Sequence, residues 1–513
     1  MTQRGPERLI VRLGAAVLIL LLLVNAASFW YATALAVRTP YQLDYGEGIV
    51  LYQAAKIDDP LIAYKTNDSF PYVAFHYPPV YHVAARAAAA VLGIDLVAAG
   101  RTVSAASGFV VQILIAALMF FALPRRLPWL SRVVAAVAAG LSITLLEAMK
   151  WTGYARVDML GIVLSVAGLA IFILAGSRSR WSYVSFVLFI AAIFTKQTFI
   201  AAPAACLLAA LFVDWRQAMR LGVTFAAMGA IALGILTWKT NGGLITHLFM
   251  YNQNSFSVVR MIYEPAINLK PIVPIVALAL AYAIPVSAGV VVLIIQKRWR
   301  RLAAFTDASR VRRMGVVLTL MWILAFAVSL SSGKNGSNYN YFLEWNIVSC
   351  PLAVLMVFRS PWSWSSNPRT ALVAILPFLV LCGAMPDALL RLRLNESEAA
   401  RQEQRTRVEN YATLVNLIQR APGPVFSEDM VLLVKAGKDV PAEPAIMREL
   451  SLSGTWDERP FLQMIEQRRF PIIIVEDLWN WKRYTPEVSA AIARSYTRTR
   501  EYGTYQLYEP VAN

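Results

Sequence analysis

Long apolar runs separated by short polar connections fill the first 390 residues, after which hydrophobic positions fall into the shorter periods of a soluble domain. A membrane span needs roughly 20 apolar residues. The runs at 9–35, 101–123, 130–149, 157–175, 181–194, 199–213, 221–238, 272–295, 314–330, 345–358 and 371–389 therefore predict about 11 transmembrane helices, within a range of ten to thirteen. A further segment at 78–93 is shorter and carries His82 and Arg86. It predicts a helix lying in the outer interface rather than a span.

Basic residues fall in every second connection, at Arg4, Arg8 and Arg12, Arg125 and Arg126, Arg178 and Arg180, Arg216 and Arg220, Lys297 to Arg313, and Arg359 and Arg369. By the positive-inside rule those connections are cytoplasmic and the others extracytoplasmic. This orients the chain with its N-terminus inside a bacterial inner membrane and its C-terminal part in the periplasm. Alanines at 32, 34 and 36 also fit a signal-peptide cleavage site, but the apolar stretch is longer than such peptides carry.

The predicted organisation is a transmembrane domain over 1–390, with a long first periplasmic loop at 36–100, and a soluble α/β domain over 391–513. In the latter, 396–420, 460–467 and 486–496 read as helices, 425–427 and 471–475 as strands, and 499–508 as a hairpin around Gly503. It has no phosphate-binding glycine loop and no nucleophile elbow, so it is expected to cap, scaffold or help bind a substrate.

Composition agrees, with 58% hydrophobic residues and a mean hydropathy of +0.53. The net charge of +17 would suit nucleic acid, but seventeen basic and seventeen acidic residues follow Leu390, so the excess belongs to the membrane part. It reads as topological charge, and no nucleic-acid partner is expected. Cys206, Cys350 and Cys382 all lie in predicted spans and form no disulfide framework.

The candidate chemistry faces the periplasm. Asp44 and Glu47 lie just past the first apolar run; such carboxylates can take a proton from a hydroxyl or hold a metal, and Asp44 also suits a helix N-cap. His76, Tyr77, Pro78 and Pro79 follow in the same loop, where an aromatic belt is the plainer reading. Arg156 and Asp158 flank a span, as an internal ion pair or a sugar or phosphate site. Lys196, between two short apolar halves, fits a lipid phosphate or simple snorkelling. Tyr339, Asn340, Tyr341 and Glu344 offer sugar-type hydrogen bonding with aromatic platforms, in a run that also reads as an ordinary loop. Arg260 belongs to a 238–270 loop suited to a lid. His76, His82 and His247 are too scattered for a zinc site.

The order of these features resembles the GT-C superfamily of membrane glycosyltransferases: a first-loop acid, a His/Pro/Pro-like turn, an Arg-x-Asp at a later span, a lysine between short paired spans, and an outer C-terminal domain. The likeness runs closest to protein O-mannosyltransferases, aminoarabinose transferases and rhizobial galacturonosyltransferases. Many members have adjacent Asp-Glu where Tyr45 and Gly46 here separate Asp44 from Glu47.

The resemblance implies inverting transfer of a hexosyl or pentosyl group from a polyprenyl-phosphate donor to a glycan, lipid or protein acceptor, with Asp44 as general base. Lys196 or Arg156 would meet the departing phosphate, and a divalent cation is left open. The alternatives are a transporter or flippase for a lipid-linked or polar solute, or a relative that only binds glycolipid. No internal repeat of the transporter kind is present in the sequence.

Overall fold

Helices form where the apolar runs predict them, and three of the long ones start at a polar cap. In the computed structural model, which describes residues 5–252, 254–359 and 398–511, Asp95 caps the helix Leu96–Ala122 by accepting from the amides of Val97 and Ala98 at 3.0 and 3.3 Å. Asp214 does the same for Trp215–Lys239, and Ser309 for Arg310–Ser329. Such caps satisfy amides that an α-helix cannot pair internally. Among the described residues seven helices are long and apolar enough to cross a membrane, or eight if one bent pair counts as a span. The expected span at 371–389, Cys382 and the 390/391 domain boundary lie outside the described residues.

Three runs depart from simple spans. The expected helix at 130–149 is Trp129–Ser142, after which the chain turns through short 3-10 segments, with 82° between Trp129–Leu145 and Glu147–Gly153. Buried Trp151 anchors that return, and it leads Arg156 towards the first loop. Trp181–Ile193 and Ala201–Val213 are thirteen residues each. At a rise of about 1.5 Å per residue each covers only ~20 Å, less than a bilayer's hydrocarbon, so the turn joining them sits deep. Lys196 in that turn is accordingly buried.

The segment at 78–93 forms the helix Val80–Leu92, too short to span, ended by Gly93 in the left-handed conformation (φ 64°). Val83, Val91 and Leu92 are exposed on it, as an interfacial helix requires. The predicted loop at 238–270 contains a helix, Val258–Leu269, whose Val259, Ile262 and Tyr263 are exposed while Asn268 is buried.

The C-terminal part carries a four-stranded sheet of β1 (Phe426–Ser427), β2 (Ile473–Val475), β3 (Tyr496–Tyr502) and β4 (Tyr505–Pro510) in the order β1-β2-β4-β3. β1 and β2 are parallel, with Phe426 opposite Ile473; β4 runs antiparallel to both β2 and β3. Helices Glu398–Arg420, Arg459–Glu466 and Pro486–Ser495 match the predicted ones within a few residues. This sheet domain is not freestanding. Ile49, Val50 and Leu51 of the first loop share one buried apolar cluster with Met430, Val431, Leu432 and Leu433.

Candidate functional site

Asp44 lies in a turn that is fixed chiefly by Glu47. The Glu47 carboxylate accepts from the amides of Leu43 (2.8 Å) and Asp44 (3.2 Å), and the Glu47 amide donates back to Asp44 O at 2.9 Å. Arg101 meets the same carboxylate with two contacts, Nε to Oε1 at 2.8 Å and Nη2 to Oε2 at 2.7 Å, and both side chains are fully buried. The Ala155 amide also donates to Glu47 Oε1 at 2.8 Å. A carboxylate this saturated has no oxygen free to take a proton from a substrate. Glu47, expected beside Asp44 as a second reactive carboxylate, therefore has the geometry of a clamp that fixes the Asp44 turn against the segment bearing Arg156.

Asp44 is the more open of the two, with a 19% exposed side chain. The adjacent helix starts at Glu47 with Gly46 at its cap position, so Asp44 is not its N-cap. Asp44 Oδ1 accepts from the Gly46 amide at 3.1 Å and forms an ion pair with Arg156 Nη1, also at 3.1 Å. Oδ2 has no hydrogen-bond partner among the described residues.

Arg156 extends the cluster. Its Nη2 donates to the Tyr77 hydroxyl at 3.3 Å, while its buried Nε is unpartnered among the described residues. Its guanidinium lies against the α-carbon of Gly46, where a Cβ would come within 1.3 Å of Nη1. Two residues on from Arg156, Asp158 Oδ1 pairs with Lys196 Nζ at 2.7 Å, and that ammonium stands 4.7 Å from the Tyr341 ring centre. Asn340 Nδ2 donates to the same Asp158 oxygen at 3.1 Å. Asp158 Oδ2, Asn340 Oδ1 and Gln197 Oε1 are buried without partners among the described residues. Buried polar atoms are almost always satisfied, so water or a polar ligand would complete these three. Glu344 closes the inner side, accepting from Ser165 Oγ at 2.8 Å.

The remaining expected residues are placed differently. His76 turns away from Asp44: its Nε2 is 2.8 Å from Tyr251 O, and its carbonyl accepts from Gln197 Nε2 at 2.9 Å. Burial, with Lys334 nearby, pushes its imidazole down to about 3, so it is neutral near pH 7. Tyr339 packs beneath Lys150, whose ammonium is 4.5 Å from the ring centre. Arg260 binds Asn335 Oδ1 (3.3 Å), Ser337 O (3.1 Å) and Glu264 (3.2 Å), tying Val258–Leu269 to the 334–341 connection. Among the described residues no three His, Cys, Asp or Glu side chains group as metal ligands would.

Arg101 was absent from the sequence-based site. Its signal was present, since a lone arginine inside an apolar helix faces the protein interior and finds a partner there. Ser165 gave no such signal, being one of many small residues in a span.

No known sequence family matches the chain, and no curated protein matches it. Solved structures do. ArnT from Cupriavidus metallidurans bound to undecaprenyl phosphate matches at a TM-score of 0.57 and 16% identity, covering 96% of this chain and 98% of that one. The same protein in the apo state gives 0.49 and 15% over the same shares. The apo oligosaccharyltransferase of Archaeoglobus fulgidus gives 0.49 and 13%, over 89% of this chain and 69% of that one. The first match, spanning nearly all of both chains, shows that this polytopic membrane protein has the GT-C fold.

Proposed function

We propose that the chain is a glycosyltransferase that moves a hexosyl or pentosyl group from a polyprenyl-phosphate carrier to a glycan, lipid or protein acceptor at the periplasmic face of a bacterial inner membrane. One observation carries the reading: a partly exposed carboxylate, Asp44, shares an ion pair with Arg156, next to the buried Asp158–Lys196 pair in the same cluster of polar groups. The ArnT structure, bound to undecaprenyl phosphate, supports the choice of carrier.

In this mechanism Asp44 Oδ2 takes the proton of the acceptor hydroxyl as its oxygen attacks the anomeric carbon. The bond from that carbon to the phosphate oxygen breaks on the opposite face, so configuration inverts and polyprenyl phosphate departs. Lys196 has three N–H donors and gives one to Asp158, which leaves two for phosphate oxygens. Arg156 Nε supplies another. Charge held ready where the phosphate develops is worth more in a buried site than in water. Glu47 and Arg101 act as positioning residues that keep Asp44 and Arg156 in register. Tyr77, Tyr341, Asn340, Asp158 and Glu344 line the donor side; His76, Tyr339 and Arg260 support the loops around it.

The test is release of polyprenyl phosphate from a panel of polyprenyl-phosphate sugars by purified protein with acceptor extract. Asp44→Asn is expected to cut the rate by about 10²–10⁴-fold, the usual contribution of a general base. Equal rates from both proteins would sink the assignment of Asp44.

A further inference from the structure

The turn that carries Asp44 is gripped from two sides, and the outer grip comes from the C-terminal domain. On the inside, Glu47 and Arg101 hold its backbone, with Arg101 Nη2 donating to Tyr41 O at 2.8 Å. On the outside, Tyr45, the residue after Asp44, lies beneath Arg483, whose guanidinium carbon is 3.4 Å from the ring centre. The Tyr45 hydroxyl accepts from the Ala445 amide at 3.2 Å. Arg483 is itself oriented by Glu428, its Nε lying 3.3 Å from Oε1. Glu428 Oε2 in turn accepts from the Tyr484 hydroxyl (3.0 Å) and the Glu476 amide (3.1 Å).

Tyr41 repeats the pattern at the other end of the turn. Arg407 stands 4.2 Å from its ring centre. Gly48 then packs so closely on the domain that a Cβ there would meet Met430 Cβ at 2.6 Å. The residues flanking Asp44 thus end in contacts with four separate stretches of a domain far away in sequence.

We propose that Tyr45 and Arg483 are positioning residues for Asp44, and that the C-terminal domain is a structural part of the active site. A reacting carboxylate has to be held to within a fraction of an ångström, and a surface turn containing Gly46 does not supply that rigidity alone. A planar guanidinium stacked on a ring restrains both partners, and lysine cannot reproduce the fit. The kinetic part of this inference rests on the transferase reading; the positioning part does not.

The experiment uses the full-length protein in detergent, with Tyr45→Leu, Tyr45→Phe and Arg483→Met. Amide exchange is followed in the 41–48 peptide and, as a folding control, in the β3–β4 hairpin. Tyr45→Leu and Arg483→Met are expected to speed exchange at 41–48 about tenfold or more while the hairpin stays protected. The kcat for polyprenyl phosphate release should fall about ten- to hundredfold with donor KM within about twofold of wild type. Tyr45→Phe keeps the stacked ring and should recover most of kcat.

Wild-type exchange at 41–48 in Tyr45→Leu would overturn the proposal, as would loss of hairpin protection in every variant or an unchanged kcat. If wild-type protein releases no polyprenyl phosphate from any donor, the transferase reading falls. The exchange comparison then decides the positioning claim alone.

Discussion

Asp44 and Glu47 show how two carboxylates three residues apart can have opposite chemistry. Glu47 has both oxygens occupied by Arg101 and three backbone amides; Asp44 keeps Oδ2 clear of partners among the described residues. The sequence made both visible as acids at the membrane edge, and Arg156, Asp158, Lys196 and Asn340 as polar interruptions. It could not separate the roles of the two acids, because that depends on Arg101, which arrives from a helix distant in sequence. Gly46 is the most sensitive neighbour of this arrangement. In Gly46→Ala the new methyl would fall 1.3 Å from Arg156 Nη1, so the guanidinium must leave its place beside Asp44. A shift of about 1 Å at a reacting group can cost about a hundredfold in rate, and turnover in Gly46→Ala should fall by that order. Gly229→Ala, where a methyl meets no atom within 4 Å, should behave as wild type in the same polyprenyl phosphate release assay.

At the scale of elements, hydropathy made the helices legible but not their breaks. The return at 143–153 and the deep turn at Lys196 follow from a bend and from short helix lengths, which a count of apolar residues does not contain. Nor did the sequence reveal how the outer segments join. His247 is one such joint: its Nδ1 accepts from the Phe75 amide at 3.0 Å, so its Nε2 must carry the proton donated to Lys65 O at 2.8 Å. This geometry admits only the neutral ring. Burial accordingly pushes its pKa down to about 4, against about 6.5 in an unfolded chain. The folded state then binds fewer protons than the unfolded state between those values. The stabilisation is therefore present above about pH 6.5 and is lost as pH falls towards 4. The loss from pH 7 to 5 should be about 2 kcal/mol for this residue, and His76 changes in the same direction. Unfolding midpoints in detergent should fall across that range, and His247→Asn should flatten the slope. An equal slope in both proteins would remove His247 as the cause.

For the whole molecule, the alternation of charged connections has a counterpart in which connections touch one another. Asp44 meets Arg156, Asp158 meets Lys196 and Asn340, and Asn335 meets Glu449 of the C-terminal domain, so all these connections and that domain share one end of the helix bundle. At the opposite end Arg313 binds Ile173 O and Arg178 pairs with Asp214. By the positive-inside rule the basic end is expected on the cytoplasmic side and the Asp44 end on the periplasmic side, where the proposed lipid-linked donor would be used. Two exposed tryptophans mark the ends for a test: Trp479 in the C-terminal domain and Trp299 in the basic connection, 64% and 58% exposed. Trp479→Cys and Trp299→Cys would each be made in a background lacking Cys206, Cys350 and Cys382, and treated in spheroplasts with a membrane-impermeant maleimide. Trp479→Cys should label in intact spheroplasts and Trp299→Cys only after lysis. The reverse pattern would put Asp44 in the cytoplasm, and the donor would then have to be one presented on that face.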